Sequence, residues 1–326
     1  MEKIEISHRT IIFTVLFLIG IWLLYQIRGV LLLLFIAFIL MNALNPLVSS
    51  LEKIKIPRIL SSVLVFIIGL IVISLIVAGI VPPLVEQLNV LTNFIAEQFP
   101  DFAFFQISEQ ALISQIETLS RNALNLLRFV TGAASNLLGL FSIIVLTIYL
   151  LLERKKMPEY LQLLFNNHDS EQKAKELIGA FEKRLGGWVR GEALLMLIVG
   201  LLTYVGLTLL GIPFALPLAL LAGLLELVPN LGPIISSIPA IIAGLTISPM
   251  LALGVLILYV AVQQLENNLI VPIVMRQSAG VNPLITLLSL MVGLTLGGIG
   301  GAILAVPFYI TIEVALKHFF KYHYRK

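Results

Sequence analysis

The sequence predicts an all-α polytopic membrane protein, and three observations carry this prediction. Of the 326 residues, 59% are hydrophobic and 12% are charged, whereas an ordinary soluble domain is about 25% charged. Several apolar runs approach the ~20 residues that a helix needs to cross a bilayer. Lys and Arg are concentrated between these runs rather than within them. We therefore expect about five or six full spans plus two helical hairpins, or eight or so apolar helical segments.

The N-terminal half, residues 1–152, is predicted to be a membrane scaffold with four spans. Its apolar runs cover residues 11–27, 30–48, 59–81 and 130–152. The first run has no small-residue cleavage site, so we expect a retained span rather than a signal peptide. The third run is closed by Pro82 and Pro83. Residues 84–128 then place apolar side chains at helical spacing among acidic ones, which predicts amphipathic helices outside the hydrocarbon layer.

Loop charge predicts the orientation. The N-terminus, the loop from Lys53 to Arg58, the amphipathic segment 153–190 and the tail 317–326 are basic, whereas residues 84–128 carry five acidic groups against two basic ones, Arg121 and Arg128. The positive-inside rule places the basic segments, including both termini, in the cytoplasm. Four spans satisfy this rule as far as Leu152, and a fifth run then leaves the chain outside near Gly211.

The C-terminal half, residues 191–316, is predicted to be the core of a transporter. One solution that returns the tail to the cytoplasm is a hairpin over residues 213–247, a crossing helix over 250–275, and a second hairpin over 283–316. Each arm of the first hairpin has roughly 15 residues, too short for the ~30 Å layer. This arrangement is an inverted span-plus-hairpin repeat, which is a recurring plan of transporters. The alternative is that both hairpins are pairs of full spans.

Two groups of residues are expected to break helices at the hairpin tips. The first contains Pro229, Gly232 and Pro233, where prolines lack the amide hydrogen that a helix interior needs. The second is the glycine cluster Gly297, Gly298, Gly300 and Gly301. Its spacing also favours close helix packing.

The candidate binding residues are polar groups inside apolar runs. Such groups are costly in a membrane and commonly functional. Glu226 precedes the first break, Asn230 follows it at i+4, and Ser236 lies just beyond the break. A carboxyl group there is suited to carrying a proton or binding a cation. The alternative is a carboxylate that hydrogen-bonds the broken backbone.

A second polar group contains Gln263, Glu266 and Asn267, which we expect on one helical face. Their carbonyl and carboxylate oxygens are suited to a cation or a polar solute, whereas the alternative is hydrogen bonding between helices. Arg190 and Glu192 open the fifth span, where we expect an interfacial ion pair or anchor.

Several function classes lack their motifs. The chain has no cysteine, and its four histidines and two aspartates all lie outside the apolar runs. No nucleotide-binding loop, serine-hydrolase elbow or His-Glu-x-x-His motif occurs. We therefore expect no enzyme activity, no cofactor and no metal site, and no nucleic-acid partner.

The blocks around Glu226, Glu266 and Gly297 resemble the autoinducer-2 exporter family of bacterial permeases, most specifically over residues 185–315. The matching blocks are LLELVPNLGPIISSIPA, QQLENNLIVP and GGIGGAILAVP. The resemblance implies a multi-pass transporter of the bacterial inner membrane and a homo-oligomer, with pentamers described for the family. It also implies export of a signalling molecule in some members and sodium/proton antiport in others.

The sequence therefore predicts a secondary transporter that exports a small polar solute or signalling molecule coupled to H⁺ or Na⁺. Two alternatives stay open: a Na⁺/H⁺ antiporter without an organic substrate, and a membrane scaffold that transports nothing. We expect Glu226 and the Glu266 cluster to face each other near the bilayer midplane.

Overall fold

The computed structural model describes residues 8–98, 137–162, 170–229, 231–275 and 281–323. Helices account for almost all of this part of the chain, and no strand occurs in it. The helices are α1 His8–Gln26, α2 Arg28–Lys53, α3 Arg58–Gln98, α4 Leu137–Glu153, α5 Met157–Leu161, α6 Ser170–Phe181, α7 Gly187–Leu209, α8 Ala215–Leu225, α9 Leu231–Leu245, α10 Pro249–Leu265, α11 Val271–Met275 and α12 Pro283–His323. One π-helical turn, Glu182–Gly186, joins α6 to α7, and another, Glu266–Ile270, joins α10 to α11.

Five helical segments within the described residues are long and apolar enough to cross a membrane. They are Arg28–Lys53, Arg58–Ile80, Ser170–Leu209, Pro249–Met275 and Pro283–Phe320. Four shorter apolar helices accompany them, including α8 and α9. The prediction of an all-α polytopic membrane protein is therefore confirmed. Large apolar side chains are exposed along most of these helices, as expected for surfaces that face lipid.

Helix α3 extends further than the third apolar run. It continues through Pro82 and Pro83, where the sequence predicted the span to close, and ends at Gln98. Within it, the segment Arg58–Ile80 is apolar and long enough to cross a membrane. A proline removes one backbone hydrogen bond but can remain in a kinked helix. The rest of the predicted amphipathic segment, residues 99–128, lies outside the described residues.

Helices α8 and α9 form a short hairpin beside the C-terminal half of α7. Before α8 the chain turns at Gly211 and Phe214, which adopt φ values of +68° and +59°. Gly223 of α8 packs on Met196, where an added Cβ would lie 2.5 Å from the carbonyl oxygen. Because α7 begins nine residues earlier, at Gly187, about 14 Å of that helix extends past this contact at ~1.5 Å per residue. The hairpin therefore covers only part of the length of α7.

The first hairpin turns at its tip through residues Glu226–Pro229, and Gly232 packs directly on the Leu225 carbonyl group. A side chain at Gly232 would overlap that backbone. Pro233, the next residue, lies in the first turn of α9, where a missing amide hydrogen costs nothing. The local chemistry of these residues thus explains why the chain reverses here.

Helices α10 and α11 continue each other through the π-helical turn and run antiparallel to α7. Gly206 packs on Leu258, and Gly191 packs on Met275, whose sulfur would lie 2.8 Å from an added Cβ. Apolar residues of α7, α8, α9 and α10 form one core, which includes Leu207, Leu218, Ala240 and Val255. This packing holds the hairpin tip against both long helices.

Helix α12 consists of two arms. The backbone leaves helical geometry at Gly297 and Gly298, and Gly298 has a φ of +59° that L-residues rarely adopt. Gly293 and Gly301 touch through their backbones on either side of this break. Beyond it, Val306, Ile310 and Val314 pack on α2 and on the junction of α6 with α7.

A polar network joins the ends of α2, α3 and α4 to the α6–α7 junction. Arg58 donates to Glu52 Oε2 at 2.6 Å and to Asn45 Oδ1 at 2.7 Å, while Asn45 donates to Glu182 Oε1 at 2.7 Å. Arg154 donates to the second Glu182 oxygen at 2.5 Å. The network fixes the four helix ends relative to one another.

Glu52 is the acidic end of this network. Its Oε2 atom pairs with Arg58 at 2.6 Å, and its Oε1 atom pairs with Lys155 at 3.1 Å. The carboxylate form therefore stabilises the network.

Candidate functional site

Glu226 is the central residue of the candidate site. It follows the last residue of α8 and is 0% exposed. Neither of its carboxylate oxygens has a hydrogen-bond partner among the described residues. It faces the carboxyl group of Glu266 closely, but two carboxylates have no hydrogen to donate unless one of them is protonated. A buried carboxyl group without a donor is costly unless it binds a proton or a cation.

Glu266 lies opposite Glu226, where the π-helical turn begins, and is 3% exposed. Gln263 Nε2 donates to Glu266 Oε2 at 3.1 Å. This bond fixes the orientation of the carboxyl group, since the amide occupies one of its two oxygens. π-Helical turns often occur at functional positions because they locally change which side chains face inward.

A small pocket adjoins Glu266 and has space for about one water-sized particle. Tyr259 lines it, and the buried tyrosine hydroxyl has no hydrogen-bond partner within the described part of the chain, although it lies beside the Ser236 hydroxyl. Ser236 itself donates to the Pro233 carbonyl oxygen at 3.2 Å. The lining residues are Val199, Thr203, Ala222, Pro233, Ser236, Tyr259, Val262, Gln263 and Glu266. Hydroxyl, amide and carboxyl oxygens thus converge on one small space between α7, α8, α9 and α10.

Glu192 is a third buried carboxyl group, which the sequence interpretation missed. It is 3% exposed, and its Oε1 atom has no partner in the described ranges. Its charge interacts with those of Glu226 and Glu266. The structure does not contain the expected ion pair between Arg190 and Glu192.

Arg190 instead contacts α2. Its Nη1 atom donates to the carbonyl oxygens of Asn42 and Ala43, each at 3.3 Å. Pro46 explains why the first of these acceptors is free, because it has no amide hydrogen to donate to the carbonyl four residues earlier. Gly186 packs on the same Asn42 carbonyl, and an added Cβ would overlap it. The proline, the arginine and the glycine together hold the start of α7 against α2.

Most of the predicted binding residues come together, but one does not. Glu226, Glu266, Gln263 and Ser236 lie around the hairpin tip and the pocket. Asn267 is exposed, whereas Gln263 is half-buried and Glu266 is buried, so a role of Asn267 in binding stays a prediction. The wider π-helical turn begins at Glu266 and turns the next side chain outward. Asn230 lies outside the described residues.

The predicted hinge residues divide between the two breaks. Pro229, Gly232 and Pro233 surround the first tip, and Pro233 lines the pocket. Gly297 and Gly298 form the second break, whereas Gly300 and Gly301 belong to the helical second arm. None of these four glycines lines the pocket.

Within the described ranges, no group of three His, Cys, Asp or Glu residues is arranged to hold a metal ion. The arrangement suits a proton, which needs only one carboxylate oxygen, or a small monovalent cation with few protein ligands. Burial of several acidic groups of like charge favours binding of a positive charge when any one of them ionises.

Comparison with known proteins gives the same class of function. The family model described as AI-2E family transporter matches residues 11–321. The chain is 29% identical over 301 residues to YueF of Bacillus subtilis, covering 85% of this chain and 81% of that protein. It is 34% identical over 137 residues to YrrI of the same organism, covering 42% of this chain and 39% of that protein.

A third relative is YhhT of Escherichia coli, 24% identical over 278 residues, with 81% of this chain and 77% of that protein covered. The names of all three designate candidate transport proteins. The family match extends over nearly the whole chain and includes every element that forms the candidate site. The chain therefore belongs to the AI-2E family of membrane transporters.

Proposed function

We propose that this protein is a secondary transporter that exports a small polar solute or signalling molecule and couples this movement to H⁺ or Na⁺ through Glu226 and Glu266. The observation that carries the proposal is the Glu226 carboxyl group, which is fully buried beside Glu266 with no hydrogen-bond donor among the described residues. Protonation or cation binding would neutralise this site. A change in its charge would then alter the packing of the hairpin tip against α7 and α10.

The hairpin of α8 and α9 is proposed to be re-entrant. Its tip packs beside Met196, near the middle of α7, rather than at the N-terminal end of that helix. With 11 residues in α8 and 15 in α9, the arms measure about 16 and 22 Å at ~1.5 Å per residue. A break at this depth is tolerated where the backbone is buried in protein or lines a cavity.

Both termini are proposed to lie in the cytoplasm of a bacterial cell, with the chain in the inner membrane. The ion-pair network brings the basic ends of α2, α3 and α4 to the same end of the molecule as Glu182. Glu313, near the end of α12, pairs there with Arg184 of the same junction and with Lys317. Basic groups from four separate segments at one end favour a single cytoplasmic face.

A homo-oligomer is also proposed, with the bilayer as the other partner. The side chains of α1 are exposed along most of its described length, and α3 is largely exposed as far as Ile80. Such apolar faces fit either lipid or neighbouring copies. Light scattering in detergent would test the assembly, and a monodisperse monomer that still transports would contradict it.

The test of the coupling proposal uses proteoliposomes that contain a pH-sensitive dye, with Na⁺ added outside. We expect a Na⁺-dependent dye response in the wild type and its loss in Glu226→Gln and Glu266→Gln. Glu171→Gln is the matched control, because Glu171 is an exposed acid on α6 that pairs only with Lys175 in the described structure. A full response in both site variants would refute the coupling role of the two carboxyl groups.

The same assay separates the alternatives. Exchange without any organic solute would indicate a Na⁺/H⁺ antiporter. A response that appears only with an added solute would indicate solute transport, for which autoinducer-2 is the first candidate by family. A scaffold predicts no transport under any condition and tolerance of both substitutions.

A further inference from the structure

We propose that Glu192 is a third proton-binding carboxyl group of the transport site, placed between the Glu226–Glu266 pair and the N-terminal end of α7. This inference rests on the proposed function, since it adds a residue to the same site. Neither the sequence motifs nor the pocket lining includes Glu192. Its position and surroundings carry the argument.

The position follows from the buried face of α7. Glu192, Leu195, Val199 and Thr203 are all buried and recur at the spacing of one helical face. Val199 and Thr203 line the pocket. Glu192 therefore lies on the pocket face, seven residues or about 10 Å nearer the start of the helix at ~1.5 Å per residue.

Glu226 lies between these two levels. Gly223 packs on Met196, and Glu226 is three residues further along the chain at the hairpin tip. The tip carboxyl group is thus positioned between the pocket and Glu192. Two further buried oxygen-bearing groups point to a ligand here, since both Glu226 oxygens and the Tyr259 hydroxyl are without partners in the described structure.

Polar groups also continue from Glu192 toward the start of α7. Asn42, whose Oδ1 atom is buried without a partner in the described residues, lies on α2 beside Arg190. Asn45 and Glu182 follow at the network of helix ends. Buried Leu185 and Trp188 also lie near the start of α7, and the polar groups on α2 provide the proposed route for protons.

The charges that face Glu192 are few. Among the described residues, the titratable groups that interact with it are Glu226 at the hairpin tip and Glu266 at the π-helical turn. Helix α11, which packs beside Gly191, has no titratable residue, and Arg190 is turned to the α2 carbonyl groups. A proton from water at the start of α7 would bind the Glu192 carboxylate. Transfer of this proton from Glu192 to an ionised Glu226 would leave Glu192 ionised and Glu226 neutral, so the total charge is conserved.

The test combines infrared titration of the purified protein with the pH profile of ion exchange in proteoliposomes. In Glu192→Gln we expect a loss of intensity in the carboxylic-acid C=O band. We also expect the pH midpoint of exchange to move toward acid by about one unit or more, because one charge removed at ~10 Å in an effective dielectric of about 20 gives about one unit and Glu226 lies between Glu192 and the pocket. Glu192→Asp should retain a carboxylic-acid band at a shifted frequency, and Glu171→Gln should change neither readout.

Two results would overturn the inference: an unchanged carboxylic-acid band in Glu192→Gln, or an unchanged pH midpoint with normal folding. A purely structural glutamate would lower the rate without moving the midpoint. If exchange is unchanged in both Glu226→Gln and Glu266→Gln, the proposed coupling role is wrong, while the infrared titration still decides whether Glu192 binds a proton. Should Glu192→Gln fail to fold, the same comparison is made with Glu192→Asp, whose C=O band must shift in frequency if the inference holds.

Discussion

The contact between the hairpin tip and α7 predicts a graded series of glycine substitutions. An added Cβ would lie 2.5 Å from the Met196 carbonyl oxygen at Gly223, 3.3 Å from the Ala219 carbonyl oxygen at Gly200, and near no atom within 4 Å at Gly179. All three glycines are helical, so helix propensity alone favours alanine by about 1 kcal/mol at each. Any loss of function must therefore come from steric displacement.

The size of the displacement can be worked out from these distances. Ordinary van der Waals contact begins at 3.4 Å, so the backbones at Gly223 must separate by about 1 Å before the Cβ fits. Overpacking of this kind costs about 1–3 kcal/mol, which the gain in helix propensity partly offsets. Stability should fall by no more than about 2 kcal/mol. A misplacement of ~1 Å at a reacting group can cost about 100-fold in rate, and Glu226 is only three residues away.

The assay is ion exchange in proteoliposomes beside thermal unfolding in detergent. We expect Gly223→Ala to reduce exchange about 10- to 100-fold, Gly200→Ala to reduce it a few-fold, and Gly179→Ala to transport normally with equal or higher stability. Wild-type exchange in Gly223→Ala would refute the argument that the hairpin tip is held in a defined position on α7. Equal losses in all three variants would show that the distances do not control the effect.

Three further predictions concern other parts of the molecule. Gln263→Leu removes a hydrogen bond to a buried carboxyl group, worth about 1.5–3 kcal/mol, and should reduce exchange at least tenfold. Asn267→Leu changes an exposed residue and should alter stability by less than about 0.5 kcal/mol. Equal losses of stability or exchange in the two variants would contradict the assigned faces. Glu52 forms ion pairs with Arg58 and Lys155, and protonation of its carboxylate at acid pH removes both of them. Thermal unfolding of Glu52→Gln should therefore depend less on pH below about 4.5 than in the wild type, and parallel curves would argue against the network. A single cysteine at Val228, in a chain that has no native cysteine, should resist membrane-impermeant thiol reagents from the cytoplasmic side if the hairpin is re-entrant, and rapid labelling from that side would indicate two full spans.

The helix breaks were predictable because their causes are local. Proline cannot donate a backbone hydrogen bond, and glycine alone adopts a positive φ without strain. The residues around Gly232 and Gly298 therefore predict turns from local chemistry alone, independently of the surrounding packing. The apolar spans were predictable for the same reason, since length and composition suffice. The extension of α3 past Pro82 was not, because a proline permits a kink as well as an end.

The outward position of Asn267 depends on the π-helical turn, which the sequence does not predict. In an ideal α-helix it would be one turn from Gln263 and on the same face. The π-helical turn that begins at Glu266 widens the spiral, and the register of every following side chain shifts. Nothing in the residues Glu266–Ile270 distinguishes a π-helical turn from an ordinary one before the packing of α10 against α7 is known.

Glu192, by contrast, was within reach of sequence reasoning. Residues two apart on a helix point to nearly opposite sides, since each residue turns the chain by about 100°, so Arg190 and Glu192 cannot pair with each other while both are helical. One of them must enter the protein if the other faces outward or contacts α2. The apolar face that contains Leu195, Val199 and Leu207 passes through position 192 and not through position 190. A carboxyl group on that face at the start of a span requires a proton, a cation or a buried donor, and Arg190 is committed to the carbonyl groups of Asn42 and Ala43. The burial of Glu192 thus follows from helical geometry, and its missing donor is the reason to place it in the transport site.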